Sequence, residues 1–131
     1  MRDERGTVTA FVASFVVALL AVAGLVADGG FVLAAKRQAA DEAEAAARAG
    51  AQALDEDALR RGGVVALDTS AARARALDYL DVTGHQGMVE VAGDSVRVEV
   101  RFERHLTLLG MFGMGPVAVS GAGEAHGVRG P

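Results

Sequence analysis

The pattern of apolar and charged positions divides the chain into an uncharged opening and a mixed remainder. Charged residues cluster up to Arg5, the 21 residues 7–27 carry no charge, and Asp28 and two glycines follow. A helix over 7–27 is about 31 Å long, which matches the hydrocarbon thickness of a bilayer. The pattern therefore predicts a transmembrane helix at 7–27 and a short leader at 1–6, which we expect to be cytoplasmic.

Two other fates of the opening segment remain open. Arg2 and Arg5 form a basic start, and Ala21-Val22-Ala23 is a small-residue site at which a signal peptidase would cut to leave a secreted soluble binding module. A helix of this length in a soluble core would need apolar cover on all sides, which roughly 100 remaining residues can hardly provide. Because the apolar run continues past the cleavage site to Ala27, a retained anchor is favoured.

Charge alone gives little information on the orientation of this anchor. Arg2 and Arg5 lie on one side of the run, and Lys36 and Arg37 lie on the other, so the positive residues nearly balance. A six-residue leader is too short to be a domain. We therefore expect residues 28–131 to form the exported domain, on the extracytoplasmic side of the cytoplasmic membrane.

Small residues recur at every fourth position within the run, at Ala10, Ser14 and Ala18. On a helix this spacing makes a narrow stripe that lets a second helix approach closely. The alternative is a plain helix surrounded by lipid, since such spacing arises by chance in an alanine-rich segment. We expect the stripe to be a helix-packing surface.

Two further helices are expected after the run. Strong helix formers fill residues 31–61, small residues share one broad side, and Gly62-Gly63 is the expected stop. With the transmembrane segment this helix would form a near-continuous rod, interrupted or kinked at Gly29-Gly30. The second helix is predicted at 70–82.

The end residues of the second helix are also indicated by the sequence. Asp68, Thr69 and Ser70 supply capping side chains before it, and Gly84 follows it. Its apolar face is expected to contain Leu77 and Leu80.

Strict alternation in MVEVAGDSVRVEVRFE predicts a β-hairpin at about 88–103, with its turn at Gly93-Asp94. This turn position fixes the register and places valines on one face. The expected pairs are Val91 with Val96, Val89 with Val98, and Glu90 with Arg97. The apolar face is expected to cover the alanine-rich helix.

A third strand is expected at about 116–123, through Val117 and Val119. The preceding LTLLGMFGMG is an apolar loop, which we interpret as core filler, with a contact surface as the alternative. The predicted fold is α+β, in which the long helix packs on a small antiparallel sheet of about three strands and one further short helix is present.

Composition gives few indications of chemistry. The net charge is −4 with interspersed charges, which is not typical of nucleic-acid binding, and the absence of cysteine excludes disulfides and thiolate sites. His85, His105 and His126 are widely spaced and are interpreted as surface residues. We therefore expect no enzyme activity, no cofactor, no metal site, no nucleic-acid partner and no small-molecule substrate.

Several stretches together resemble the TadE/TadG-like proteins of tight-adherence (Flp) pilus systems. These are ERGTVTAFV, the run ending GLVADGG, KRQAADEAEAAARAGAQAL, LDYLDVTG, the VEV and VRVEV strands, and LLGMFGMGPVAVSGAGEA. The resemblance implies a single-pass, non-enzymatic minor pilin or pilus-assembly component. Its implied partners are membrane lipid, other pilin-like or Tad assembly subunits, and further copies of the same chain.

The resemblance also implies roles for particular residues. Leader cleavage by a prepilin peptidase would fall between Gly6 and Thr7. Pilin-like members carry a glutamate five residues into the mature chain, where it pairs with a neighbouring amino terminus. Here that position is Phe11, which favours an uncleaved, TadG-like protein. Asp28 is interpreted as the membrane boundary rather than as a substitute for that glutamate.

Overall fold

The computed structural model of the protein describes residues 3–60 and 69–127. Its fold is α+β, as predicted, with two α-helices and a three-stranded antiparallel sheet. The elements are α1 (Asp3–Arg60), α2 (Thr69–Thr83), β1 (Gln86–Ala92), β2 (Ser95–Arg104), a 3₁₀-helix (Leu109–Phe112) and β3 (Val117–His126). The expected helix stop at Gly62-Gly63 and the capping Asp68 lie outside the described residues.

Helix α1 joins the apolar run and the alanine-rich segment into one helix of 58 residues. At 1.5 Å per residue it is about 87 Å long. The predicted interruption at Gly29-Gly30 is wrong, because both residues lie within the helix. A glycine costs a helix only about 1 kcal/mol relative to alanine, and the strong helix formers on both sides outweigh that cost.

Helix α2 packs through small residues spaced four apart. Ala72, Ala76 and Leu80 are buried, whereas Leu77 is 39% exposed, so the prediction that Leu77 shares the apolar face is wrong. Residue 77 lies one position past Ala76, and the 100° step of a helix turns it away from α1. The predicted stop is confirmed: Gly84 has a φ of +75° and donates its N–H to the Leu80 carbonyl at 3.0 Å.

The hairpin has the predicted register. Val91 pairs with Val96, Val89 with Val98, and Glu90 with Arg97, and the turn between β1 and β2 uses Gly93 at a φ of +61°. β3 pairs antiparallel with β2 in the order β1-β2-β3. It runs to His126, beyond the predicted end at 123, because Ser95 at the start of β2 still has a partner there.

The sheet covers the alanine side of α1, as the alternation predicted. Val96, Val98, Val100 and Val119 are fully buried, together with Ala39, Ala43, Ala46, Ala47 and Leu54 of α1. A Cβ built on Gly121 would lie 2.2 Å from the Ala40 backbone nitrogen, and one on Gly123 would lie 2.4 Å from the Glu44 nitrogen. β3 therefore approaches the α1 backbone as closely as only glycine permits.

The apolar loop between β2 and β3 does not fill the core. Met111 and Phe112 are 82% and 85% exposed, and Met114 is 54% exposed. The interpretation as core filler is therefore wrong. The alanine and valine layers of α1 and the sheet already fill the core, so the larger side chains of this loop remain outside it.

Candidate functional site

The apolar run of α1 is exposed at every residue from Thr7 to Ala23. Its large apolar side chains, from Val8 to Val26, are 47–70% exposed. An 18-residue window of the helix has a mean hydropathy of 2.6 and is only 6% buried, so α1 is long and apolar enough to cross a membrane. Soluble monomers rarely expose a contiguous apolar surface of this extent. Residues 3–60 and 69–127 therefore leave most of the run uncovered.

A single carboxylate marks the end of this exposed run. Asp28 is 1% exposed, and its oxygens accept the backbone N–H groups of three consecutive residues of the β2–β3 loop. Thr107 donates to Oδ1 at 3.2 Å, Leu108 donates to both oxygens at 3.2 and 3.1 Å, and Leu109 donates to Oδ2 at 2.6 Å. Both oxygens act only as acceptors, as an ionised carboxylate does.

Local structure explains why the loop presents these donors. The first N–H groups of a helix have no partner within it, and Leu109 begins the 3₁₀-helix. A carboxylate at this end also lies at the positive end of the helix dipole. Asp28 therefore acts as a cap for a helix on a distant part of the chain. The sequence around Asp28 indicates only a membrane boundary and gives no sign of these contacts.

Gly24, one helical turn before Asp28, completes the contact. It is buried, and a Cβ built on it would lie 3.6 Å from the Cβ of Leu108, at ordinary van der Waals distance. Leu108 thus packs over a glycine inside the apolar run. We call Gly24, Asp28 and residues 107–109 the loop anchor.

The predicted small-residue stripe lies on nearly the same side of α1 as the loop anchor. At about 100° per residue, Ala10 and Ser14 project within roughly 40° of Asp28, and Ala18 lies roughly 80° away. All three stripe residues are exposed. The Ser14 hydroxyl donates to the Ala10 carbonyl at 2.8 Å, so its proton is satisfied within the helix. The surface is open to a partner, and its use in packing stays a prediction.

The possible cleavage residues Gly6 and Thr7 lie within α1, which begins at Asp3. The helix around a peptide bond must unwind before a peptidase can bind that segment in an extended form. Cleavage at this position is a prediction that the geometry leaves open.

One histidine is not the isolated surface residue that was predicted. His85 Nδ1 lies 2.7 Å from Glu42 Oε2, and its ring stacks on Phe102 at a centroid distance of 4.3 Å. These contacts tie the α2–β1 turn to α1 and to the sheet. The ring borders an open hollow of about 710 Å³, which Gln86, Arg101 and others line. Among the described residues no group of three or more His, Cys, Asp or Glu side chains is placed to hold a metal.

Residues 6–53 match the model of a protein family described as putative Flp pilus-assembly TadE/G-like. The matched range covers 48 of the 131 residues of the chain. The description of the family concerns pilus assembly and names no catalytic activity. No curated protein and no solved structure matches the chain.

The matched range ends inside α1, seven residues before Arg60. It contains the stripe, Gly24 and Asp28, whereas the sheet and the loop lie outside the matched range. The loop anchor therefore joins the matched range to the remainder of the chain at the end of the apolar run.

Proposed function

We propose that the protein is a non-enzymatic component of Flp pilus assembly, a minor pilin or an assembly subunit, held in the cytoplasmic membrane by residues 7–27. The observation that carries the proposal is that the family match includes an apolar helical segment that the described fold leaves exposed from Thr7 to Ala23. The remaining α+β part has its own core, in which Val96, Val98 and Val100 are fully buried. These two features support an anchor followed by a small compact domain.

The proposed mechanism is association with other pilin-like or Tad subunits, and with further copies of the chain, rather than conversion of a substrate. Within the membrane the partner helix would approach the stripe of Ala10, Ser14 and Ala18. Leu108 covers the same side of α1 at Gly24, so the approach is limited to the part of the run before that residue. Outside the membrane the domain would supply the second contact.

We further propose that the leader 1–6 stays on the cytoplasmic side and is not removed, so that residues 28–131 are exported. Two observations support this. The bond between Gly6 and Thr7 lies in a helix, and Phe11 stands where processed pilins carry a glutamate. A phenylalanine can not attract the amino terminus of a neighbouring subunit, so this chain would gain nothing from exposing Thr7 as a new terminus.

An intact mass measured on the native protein, combined with fractionation into membrane and medium, tests the anchor. A mass that starts at Met1, recovered in membranes washed with alkaline carbonate, is the expected result. A mass starting at Thr7 would support a processed pilin-like subunit instead. A mass starting near Gly24, recovered from the medium, would establish the secreted binding module and overturn the proposal.

Protease treatment of intact spheroplasts tests the orientation. Digestion should remove the domain 28–131 and leave a membrane-protected fragment that contains residues 7–27. If the domain survives in intact spheroplasts and is digested only after lysis, the orientation is the reverse.

A further inference from the structure

The loop between β2 and β3 is the second exposed apolar surface of the molecule. No charged residue occurs from Leu106 to Gly123. Within it we call residues 108–114 the loop tip, which exposes Leu108, Met111, Phe112 and Met114 to between 40% and 85%. Exposed apolar side chains that cluster in this way mark a protein or membrane contact more often than singly scattered ones do.

The position of the loop tip follows from the order of contacts along α1. Gly123 lies against Glu44, Gly121 lies against Ala40, and the loop then reaches Asp28 and Gly24. Each step moves toward the amino terminus of α1. The chain therefore leaves the sheet and extends along α1 toward the apolar run.

The loop reaches past the boundary of the run. Gly24 lies four residues inside Asp28, which is about 6 Å along the helix axis. The side chains of Leu25 and Val26 at the same level are 60% and 69% exposed. Whatever medium surrounds these two residues also surrounds the loop that packs on Gly24.

We propose that the loop tip inserts into the outer leaflet of the bilayer beside the transmembrane helix and forms a second membrane contact. The occupant of this surface is lipid, because the tip is uncharged, apolar and placed at the level of exposed residues of the run. Binding at the boundary between headgroups and acyl chains strengthens with the apolar area that is buried there. The inference rests on the proposed anchoring of residues 7–27.

The loop anchor fits this placement. A free carboxylate near the hydrocarbon boundary is costly. Asp28 avoids that cost because the loop supplies four N–H contacts and buries it to 1% exposure. In turn Asp28 satisfies the backbone donors that the tip would otherwise carry into an apolar medium. The contact therefore lowers the free-energy cost of placing both the carboxylate and the loop backbone at this depth.

Single tryptophans test the inference, because the chain has no native tryptophan. Three variants of the full chain are prepared: Phe112→Trp in the tip, Leu20→Trp in the run, and Val82→Trp at the end of α2, where the valine is 88% exposed. Each is reconstituted into phosphatidylcholine vesicles with and without bromine on the acyl chains. Emission wavelength and quenching by bromine are measured.

The expected result is that Phe112→Trp and Leu20→Trp emit at short wavelength and are quenched by brominated lipid, whereas Val82→Trp emits as in water and is not quenched. If Leu20→Trp is quenched but Phe112→Trp behaves like Val82→Trp, the tip inference is wrong and the anchor stands. Short-wavelength emission of Phe112→Trp without quenching would show a protein contact and also overturn it. An unquenched Leu20→Trp overturns the anchor and the tip together.

Discussion

The Asp28 carboxylate accepts the backbone N–H of Leu109 at 2.6 Å, across 81 positions of sequence. This contact joins the amino-terminal part of α1 to the loop that follows β2. Further along the helix, the glycine contacts of β3 join α1 to the strand that follows this loop. The end of the apolar run is therefore held against the part of the fold that contains the sheet.

Removing the carboxylate should release the loop. In Asp28→Ala, amide hydrogen exchange at residues 107–109 is expected to be roughly tenfold faster, because three N–H groups lose their acceptor. Exchange in β1 and β2, whose ladder partners are unchanged, should stay close to that of the native chain. Hydrogen exchange with mass spectrometry in detergent measures both.

The control is Asp41→Ala, because Asp41 is an exposed aspartate on the same helix. It should leave exchange at residues 107–109 unchanged. If Asp28→Ala and Asp41→Ala show the same exchange in this loop, the loop anchor does not hold the loop.

Because β3 lies so close to α1, we expect a substitution of Gly121 to destabilise the fold strongly. In Gly121→Ala the added Cβ would meet the Ala40 nitrogen at 2.2 Å, so strand and helix must separate. The free energy of unfolding should fall by about 3 kcal/mol. Urea unfolding in detergent, followed by far-UV circular dichroism, measures the loss.

The matched control for Gly121→Ala is Gly115→Ala, because a Cβ added at Gly115 meets nothing within 4 Å. It should unfold within about 0.5 kcal/mol of the native chain. Equal losses in the two variants would mean that β3 does not lie against the α1 backbone as described.

The acid sensitivity of the sheet depends in part on Glu124. The Ser95 hydroxyl, bonded at 2.7 Å, and then the Arg97 guanidinium at 3.0 Å lower the pKa of this carboxyl from its ordinary value of 4.5. A lowered folded-state pKa means that the stabilisation is fully present above pH 4.5 and is lost as the pH falls through the folded value. As the pH falls below 4.5, the free energy of unfolding of Glu124→Gln should therefore fall less than that of the native chain.

Nuclear magnetic resonance titration of the Glu124 carboxyl gives a direct measurement. Ser95→Ala should raise its pKa toward 4.5, because the first cause of the shift is removed. Ser120→Ala, a change at an exposed serine of β3, should not. A native Glu124 that titrates at 4.5 or above would contradict the contact.

The small-residue stripe predicts which changes weaken assembly. Ser14→Leu together with Ala18→Leu adds bulk where a partner helix would approach, so co-purification with other pilus components should fall several-fold. Ala23→Leu is the matched control, because at about 180° from Ser14 it projects to the opposite side of α1. Recovery that is unchanged in the double variant, or reduced as much in Ala23→Leu, would contradict packing through the stripe.

Local patterns in the sequence were sufficient for most of the fold. The alternation around Gly93 predicts the hairpin with its register, and the uncharged run and alanine-rich segment predict α1. Such patterns work because strand and helix periodicities depend on neighbours a few residues apart. The same local reasoning predicted an interruption at Gly29-Gly30, where cooperative helix formation continued through both glycines.

The long-range contacts were decided by the tertiary structure. The partners of Asp28 are backbone N–H groups, which every residue except proline carries, so no residue type near 107–109 indicates them. His85 and its Glu42 partner lie 43 residues apart, so no local pattern indicates their contact. The exposure of the loop tip depends on a core already filled by smaller side chains, which local patterns do not show either. The sequence by itself determined the elements and the apolar run. Only folding determined that the loop, rather than water, meets the carboxylate at the end of that run, because contacts between distant backbone groups leave no periodic signal.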